Sequence, residues 1–295
     1  MTYKQAPLPS SNSPISKERP RWIRVKLPTG KKYRELSKLV DQYKLHTICQ
    51  SGHCPNMGEC WGEGVATFMI LGDICTRSCG FCKVKTGRPS SLDWEEPEKV
   101  ARSIKLMKIQ HAVITSVDRD DLKDMGSIMW AETLQAIRRI SPSTTLETLI
   151  PDFQGNTLCL DRILKEQPEV ISHNLETVES LTPKVRIQAK YHRSLEVLAY
   201  LKTKGAKRVK TSLMLGLGET PKDIRKTMKE ARAIGVDVFT LGQYLQPSPQ
   251  HLPVKEFISP EQFEIYKKEG LQMGFRHVES GPLVRSSYHA HKHIL

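Results

Sequence analysis

Short apolar, β-rich runs alternate with helical patterns along most of the chain, and this alternation limits the possible folds more than any other feature. Six strand–helix pairs of similar length follow one another, which is typical of parallel strands joined by right-handed crossovers. No nucleotide-binding glycine fingerprint follows the first strand, so a barrel is favoured over an open sheet. The sequence therefore predicts an α/β fold, a partial (β/α)6 TIM-like barrel with N- and C-terminal extensions.

The predicted strands occupy residues 66–71, 111–116, 145–150, 170–174, 208–215 and 236–241. The helices that follow them occupy residues 97–109, 127–140, 156–167, 194–204, 221–234 and 260–273. Thr220 and Ser259 are predicted N-caps of the last two helices, each followed by proline at the first helical position. Working residues of such a barrel lie at the carboxyl ends of its strands. We therefore expect the polar segments after the strands to gather on one face.

The chain of 295 residues is long enough to bury a large core in one domain. Residues 1–20 contain four prolines and several serines and are predicted to be a flexible tail. Residues 21–64 are predicted to be an N-terminal extension, residues 65–280 the barrel, and residues 281–295 a C-terminal extension. No run of about 18 apolar residues is present, so we expect no membrane span.

Six of the seven cysteines fall between Cys49 and Cys82. Disulfides are typical of small secreted domains, whereas this chain is not small and carries no apolar signal segment. Reduced cysteines that bind a metal are therefore the starting hypothesis. Cys159 stands apart in a helical pattern and is predicted to be a small core residue.

Three cysteines lie directly after the first predicted strand in the pattern Cys75-x3-Cys79-x2-Cys82. Three thiolates on one tight loop can bind three irons of a four-iron cluster and leave the fourth iron open to a substrate or cofactor. A zinc site and a chance grouping of core cysteines are the alternatives.

An earlier group has the pattern Cys49-x4-Cys54-x5-Cys60, with glycine and proline between the cysteines. These turn-forming residues could fold the loop around a metal. Two adjacent triplets favour a second cluster over spare thiols, and their closeness means that both clusters could face one cavity.

The second triplet, in its place after the first strand, resembles the radical S-adenosylmethionine (SAM) superfamily. This resemblance implies that the open iron binds the amino and carboxylate groups of SAM. It also implies that an electron splits SAM into methionine and a 5′-deoxyadenosyl radical, while the protein orients the cofactor and excludes side reactions. Phe81, inside the motif, would then lie against the adenine. The alternative for Phe81 is a core aromatic beside the loop.

Polar residues at strand ends are candidates for contacts to the methionine and ribose of SAM: Ser116, Asp118, Asn174, Glu176 and Ser212. Each has the alternative of capping a helix or stabilising a turn. Arg77 and Lys83 flank the cysteine loop and could tune its charge, with surface placement as the alternative.

Both triplets together resemble the lipoyl synthase family. The resemblance covers roughly residues 22–290, and these stretches carry it: Met69–Arg77, Thr115–Leu122, Ile150–Phe153, His173–Thr177, Met214–Glu219, Gln243–Ser248 and Gly281–Tyr288. It implies an auxiliary four-iron cluster on Cys49, Cys54 and Cys60. The fourth ligand would be a serine oxygen of the motif Arg285-Ser-Ser-Tyr288, with Ser287 preferred and Ser286 as the alternative.

The implied reaction inserts two sulfur atoms, at C6 and C8, into an octanoyl group attached to a carrier-protein lysine. Each insertion uses one SAM, and the auxiliary cluster is the sulfur donor. The implied partners are octanoylated carriers (lipoyl domains of 2-oxoacid dehydrogenases and the glycine cleavage H protein), an electron donor such as ferredoxin or flavodoxin, and a cluster-repair protein.

The chain has 45 basic and 32 acidic residues and a formal net charge of +13. Basic residues crowd together between Arg19 and Arg34, which predicts either a solvated surface or an arm for an acidic partner. With the resemblance, we interpret the charge as a surface for acidic carriers. No aromatic platform interleaves the basic arm, so nucleic acid is not an expected partner. The expected location is cytoplasmic, with an organelle matrix or stroma as the alternative.

Two competing functions stay open at this point. One is another radical SAM sulfur-inserting enzyme that acts on a small molecule or on tRNA, against which the auxiliary spacing and the Arg285–Tyr288 motif argue. The other is a non-enzymatic metal module that binds nucleic acid, against which the strand–helix repeat argues. His289, His291 and His293 alternate like metal ligands, but with nothing nearby in sequence to complete a site they are predicted to be an unstructured tail.

Overall fold

The computed structural model describes residues 19–23, 33–34, 37–38, 40, 47, 49, 54, 56–62 and 65–294. Residues 1–18 of the predicted flexible tail and most of the basic arm lie outside the described residues. Within the described part of the chain, no helix is both long enough and apolar enough to span a membrane.

The described chain forms these strands: β1 (Val65–Ile70), β2 (Ile74–Cys75), β3 (Lys85–Thr86), β4 (His111–Ser116), β5 (Thr145–Leu149), β6 (Val170–Ser172), β7 (Val209–Leu215), β8 (Val238–Gln243) and β9 (His277–Gly281). Seven of them form one sheet in the order β1-β4-β5-β6-β7-β8-β9, in which every neighbouring pair is parallel. The short strands β2 and β3 pair with each other. Because the seven strands are parallel, their carboxyl ends meet on one face of the sheet.

Helices α1 (Met57–Gly62), α2 (Glu96–Leu106), α3 (Ser127–Ile140), α4 (Thr157–Lys165), α5 (Thr182–Val185), α6 (Tyr191–Thr203), α7 (Pro221–Ala233) and α8 (Pro260–Gln272) connect and flank these strands. Six of them follow the six predicted strands, so the chain contains the six strand–helix units expected from the sequence. The architecture is an α/β partial barrel, as predicted.

Among the seven strands of the main sheet, β9 is the one that the sequence pattern did not predict. It adds a seventh parallel strand beside β8, with Val238 opposite His277 and Gly242 opposite Gly281. Only Val278 among its five residues is fully buried, so it lacks the apolar run by which the other strands were recognised.

Helix boundaries follow the capping chemistry closely. In α7 the Thr220 hydroxyl accepts a hydrogen bond from the Asp223 amide, and the Asp223 carboxylate accepts one from the Thr220 amide, which completes a capping box. Ser259 caps α8 as predicted. Asn156 was predicted as the first residue of its helix, but its side chain accepts from the Leu158 amide and caps α4 instead.

One apolar core joins the barrel to the N-terminal region. All six residues of β1 are buried, and Trp61 of α1 and Cys49 pack in the same cluster as the strands. Cys159 is also buried in this cluster, as the sequence predicted for a core cysteine.

The C-terminal segment after β9 runs from the carboxyl ends of the strands to their amino ends, which we call the foot of the barrel. It passes close to Gly242, where a Cβ atom would collide with the carbonyl oxygen of Val284. It ends in a 3-10 helix, Ala290–Ile294, whose last carbonyl accepts from Arg208 just before β7 (3.3 Å). The predicted unstructured tail is therefore wrong for these residues, because they pack against the foot.

Candidate active site

A cavity of about 660 Å³ opens at the carboxyl ends of the strands. Its lining includes all the strand-end and motif residues that the sequence singled out for SAM, both of the candidate serines, and five of the six paired-triplet cysteines: Phe81, Ser116, Asp118, Asn174, Glu176, Ser212, Ser286, Ser287, Cys49, Cys54, Cys75, Cys79 and Cys82. Cys60 lies outside this lining and borders a small adjoining cavity. The expected gathering of polar segments on one face is thus observed.

The loop of the second triplet is held by its own backbone and by its neighbours. The amides of Arg77 and Asp118 donate to the Cys75 sulfur at 3.4 and 3.3 Å. The Gly80 amide donates to the Val185 carbonyl, and the Gly80 carbonyl accepts from Leu252. The loop therefore presents its three sulfurs from a fixed frame.

Arg77 is a main support of that loop. Its guanidinium donates to Asp120 (2.6 and 2.8 Å) and to Asp152 (2.7 Å), and Asp118 lies at 3.3 Å. Arg77 is only 5% exposed, so surface placement is wrong for this residue. The carboxylates come from the segments after β4 and β5, and the ion pairs tie the cysteine loop to two barrel strands.

Protonation follows from these contacts. Burial alone would raise the pKa of Asp152, but the hydrogen bond and charge of Arg77 outweigh it and hold that pKa at about 2. Burial raises the pKa of Asp118 to about 6, against the opposing charge of Arg77. Asp120 and Asp152 lie within the stretches Thr115–Leu122 and Ile150–Phe153, but sequence reasoning did not recognise them as partners of Arg77.

The thiols of the loop are protonated when nothing cationic is bound. Burial raises the pKa of Cys79 to about 12, although Arg186 lowers it, and burial together with Asp118 raises the pKa of Cys75 to about 11. Thiolates form at such sulfurs when a metal binds and displaces the proton. Three half-buried thiols on one loop suit iron ligation.

The predicted SAM contacts differ in what they can still offer. Asn174 donates to Glu176 (3.0 Å), and its buried carbonyl oxygen has no hydrogen-bond partner among the described residues. Burial raises the pKa of Glu176 despite the nearby Arg186. Ser116 accepts from the Trp130 indole (3.2 Å) and keeps its own proton available. These polar atoms fit a cofactor with amino and hydroxyl groups.

Phe81 has the packing of a core aromatic beside the loop, and its contact with the adenine stays a prediction. It lines the cavity and also packs against a small apolar cluster of Val185, Leu217 and Tyr244. Lys83, by contrast, is exposed while bordering the same cavity.

A second centre forms where the first triplet meets the C-terminal motif. Cys49, Cys54, Cys60 and Ser287 line the small adjoining cavity together. Ser286 borders the larger cavity only. The serine at position 287 is therefore the one that shares a cavity with all three cysteines.

Two contacts bring the C-terminal motif to this place. The Asn56 side chain donates to the Leu283 carbonyl (2.6 Å), and the Tyr288 hydroxyl donates to Glu59 (3.0 Å). Asn56 and Glu59 precede Cys60 in and beside α1, so both ends of the motif are tied to the helix that carries that cysteine.

The Arg285 side chain places a positive charge at this centre that an anionic group would neutralise. The Arg285 guanidinium donates to the Val284 carbonyl and forms no ion pair with a carboxylate of the described chain. Burial lowers the pKa of Arg285, and the nearby Cys54 raises it. An unpaired cation is costly to bury, and an anionic iron–thiolate group beside Cys54 would offset that cost.

Trp61 points to the same conclusion. It is fully buried, and its indole nitrogen has no conventional hydrogen-bond partner in the described residues. Burial and Cys54 raise the pKa of Cys49 to about 11, while hydrogen bonds from Thr67 and Trp61 lower it. The indole N–H thus faces a sulfur that would carry negative charge as a metal ligand.

Comparison with known proteins identifies the family of the chain. The family profile described as the radical SAM superfamily matches residues 69–231. Two similar relatives are "Lipoyl synthase, mitochondrial" of Nematostella vectensis, 72% identical over 95% of this chain and 97% of that protein, and "Lipoyl synthase" of Flavobacterium psychrophilum, 70% identical over 98% and 99%.

Solved structures show the same fold at low identity. Methylornithine synthase (PylB) matches with a TM-score of 0.56 and 13% identity, over 84% of this chain and 76% of that chain. The FeFe-hydrogenase maturase HydG of Carboxydothermus hydrogenoformans matches with a TM-score of 0.55 and 12% identity, over 88% and 77%. The full-length relatives and the superfamily profile together establish that the chain belongs to the lipoyl synthase family of the radical SAM superfamily.

Proposed function

We propose that the two cysteine triplets divide the lipoyl synthase reaction between two four-iron clusters that face one cavity. Members of the family are radical SAM sulfurtransferases that insert sulfur at C6 and C8 of a protein-bound octanoyl group, and this chain is one of them. The observation that carries the division is the 660 Å³ cavity, which the second triplet, Ser287 and two cysteines of the first triplet border, while Cys60 borders the small adjoining cavity.

Cys75, Cys79 and Cys82 are the proposed ligands of the SAM-binding cluster. When bound, that cluster supplies the electron that cleaves SAM. The protein holds the three sulfurs in place through the Arg77 ion pairs and the backbone of the loop. The neutral thiols lose their protons on binding iron, so loading is favoured by rising pH.

SAM itself is proposed to lie along the strand ends. The unpaired carbonyl oxygen of Asn174 accepts from a donor of the cofactor, and Glu176 stays beside it through their hydrogen bond. Ser116, Asp118 and Ser212 complete the polar lining, and Phe81 offers its ring to the adenine.

Cys49, Cys54, Cys60 and Ser287 are the proposed ligands of the auxiliary cluster, the source of the inserted sulfur. The serine oxygen is a harder donor than a thiolate and matches iron less well. The proposed bond between Ser287 and iron is therefore the one that breaks most readily. Arg285 balances the negative charge that the thiolates bring into the half-buried site.

The octanoyl chain requires an apolar path between the two centres. Leu149, Ile150, Leu213, Met214 and Leu245 border the cavity beside the cysteines, and they exclude water from the carbon that loses hydrogen. The carrier protein stays outside while its acylated lysine arm reaches in.

The proposed carriers are lipoyl domains and the glycine cleavage H protein, drawn to the basic surface. A ferredoxin or flavodoxin is the proposed electron donor, and a cluster-repair protein restores the sacrificed cluster. The proposed location is cytoplasmic. The mitochondrial name of one relative keeps the organelle matrix or stroma as the alternative.

The test is an anaerobic incubation of the reconstituted protein with SAM, a reductant and an octanoyl-lysyl peptide. Mass spectrometry is expected to show two sulfur atoms gained by the peptide, and chromatography to show 5′-deoxyadenosine. Cleavage of SAM with no sulfur on the octanoyl chain would overturn the proposed substrate. Iron content well below two clusters per chain after full reconstitution would overturn the second centre.

A further inference from the structure

Three potential metal ligands meet at the foot of the barrel, away from the cysteine centres. His277 and Glu279 are two residues apart on β9, and His293 lies in the C-terminal 3-10 helix. One ligand atom from each lies within 4.8 Å of the others. The rings of His277 and His293 are 4.7 Å apart between centroids, and the nearest His277 nitrogen and Glu279 oxygen are 3.2 Å apart.

One ring nitrogen of His293 has no hydrogen-bond partner among the described residues. The residue is 1% exposed, and its Nδ1 contacts the ammonium of Lys210 at 3.0 Å. Lys210 is itself bound to both carboxylate oxygens of Glu147 at 2.8 and 3.0 Å. The Nε2 atom of His293 is buried with no partner among the described residues. A buried polar atom without a partner is rare and calls for a reason.

We propose that His277, Glu279 and His293 bind a divalent transition-metal ion, with zinc as the best match and water as the fourth ligand. Two imidazoles and one carboxylate are a donor set that zinc favours. Bond lengths of about 2 Å require the three ligand atoms, which now lie within 4.8 Å of one another, to move closer by side-chain rotation. Ligation by Nε2 of His293 leaves the imidazole proton on Nδ1, which faces Nζ of Lys210 at 3.0 Å. The Lys210 ammonium must then release one proton to solvent in order to accept this N–H.

The site would act as a clamp on the segment that delivers Ser287. Residues 282–294 are anchored near their start by Asn56 and Glu59, and a metal bridge from β9 to His293 would anchor their end. The same segment carries Arg285 and Ser287 past the first triplet. Metal at the foot would therefore reduce the freedom of the serine at the other end of the barrel.

The test uses holoprotein whose clusters are fully loaded, so that the cysteines are occupied. After treatment with EDTA, zinc is added and elemental analysis is performed on the desalted protein. We expect one zinc per chain. Co²⁺ in its place is expected to add visible d–d bands, and no new near-ultraviolet thiolate bands, in the difference spectrum against the cobalt-free holoprotein. Hydrogen exchange of residues 284–294 is expected to slow when zinc is bound.

Glu279→Gln and His293→Gln are expected to weaken zinc binding by more than about 10-fold, the loss that even an outer-sphere partner can cause. His192→Gln is the matched control, because His192 forms a comparable pair with Glu179 on the surface (2.9 Å). The proposal fails if the wild-type holoprotein takes up no zinc, if Glu279→Gln binds it as tightly as the control, or if the cobalt spectrum shows thiolate ligands.

Discussion

The two cysteine centres are built in different ways. The three sulfurs of Cys75, Cys79 and Cys82 lie on one eight-residue loop after β1, braced by buried ion pairs from Arg77 to the barrel. The other centre combines Cys60 with Ser287, which is 227 positions later. Hydrogen bonds of Asn56 and Glu59 with the C-terminal segment hold these two parts together. A centre whose three sulfurs lie on one braced loop has a fixed ligand spacing, whereas a centre shared between distant segments can open when one of them moves.

The largest expected effect comes from removing one ligand on each side. Cys79→Ala should abolish both SAM cleavage and lipoyl formation, because the SAM-binding cluster needs all three thiolates. Ser287→Ala should leave SAM cleavage intact and lower sulfur insertion by about 10-fold or more. Chromatography of 5′-deoxyadenosine and mass spectrometry of the peptide measure the two steps separately.

Ser286→Ala is the matched control for the second centre, since Ser286 borders only the larger cavity. Equal loss of sulfur insertion in both serine variants, or normal insertion in Ser287→Ala, would reject the assignment of the fourth ligand.

The next largest effect concerns the ion pairs of Arg77 that support the Cys75–Cys82 loop. Asp152→Asn removes one of the three carboxylates around the buried Arg77. It should lower the free energy of unfolding by about 2–3 kcal/mol at neutral pH, which is what lowering a pKa from about 4 to about 2 is worth. Because the pKa of Asp152 is about 2 when folded and about 4 when unfolded, its contribution is present above pH 4. It is lost as the pH falls towards 2. Urea unfolding at several pH values should therefore show the gap between wild type and variant narrowing in acid.

Asp93→Asn is a suitable control, because the Asp93–Lys99 pair (2.8 Å) is exposed and should contribute at most about 1 kcal/mol. A gap for Asp152→Asn that stays constant from pH 7 to pH 3 would contradict the proposed role of the ionised pair.

The smallest expected effect comes from the hydrogen bond between Tyr288 and Glu59 beside the second centre. Tyr288→Phe removes the exposed hydrogen bond to Glu59 and should cost about 0.5–1.5 kcal/mol, with faster loss of iron from the auxiliary cluster only. Tyr200→Phe removes a similar exposed bond to Asp161 (2.8 Å) far from both centres. Iron-release rates that match between these two variants would show that the Tyr288 contact does not hold the motif in place.

Local chemistry explains why much of the molecule could be predicted. Thr220 caps a helix through its hydrogen bonds with Asp223, three residues later, and Pro221 occupies the first helical position. Buried strands such as Val65–Ile70 are recognisable in the sequence as apolar runs. Strand β9 could not be recognised in this way, because its place beside β8 is set by backbone pairing rather than by its polar side chains.

The sequence by itself determined the family, the barrel and the two cysteine triplets that we propose as ligands, because each is recognised from residues close together in the chain. Only the tertiary structure decided which residues complete these sets. It brought Asp120 and Asp152 to Arg77, Ser287 to the first triplet, and His293 to His277 and Glu279. These contacts join segments tens to hundreds of positions apart, and their geometry follows from how strands and the C-terminal segment pack around one core.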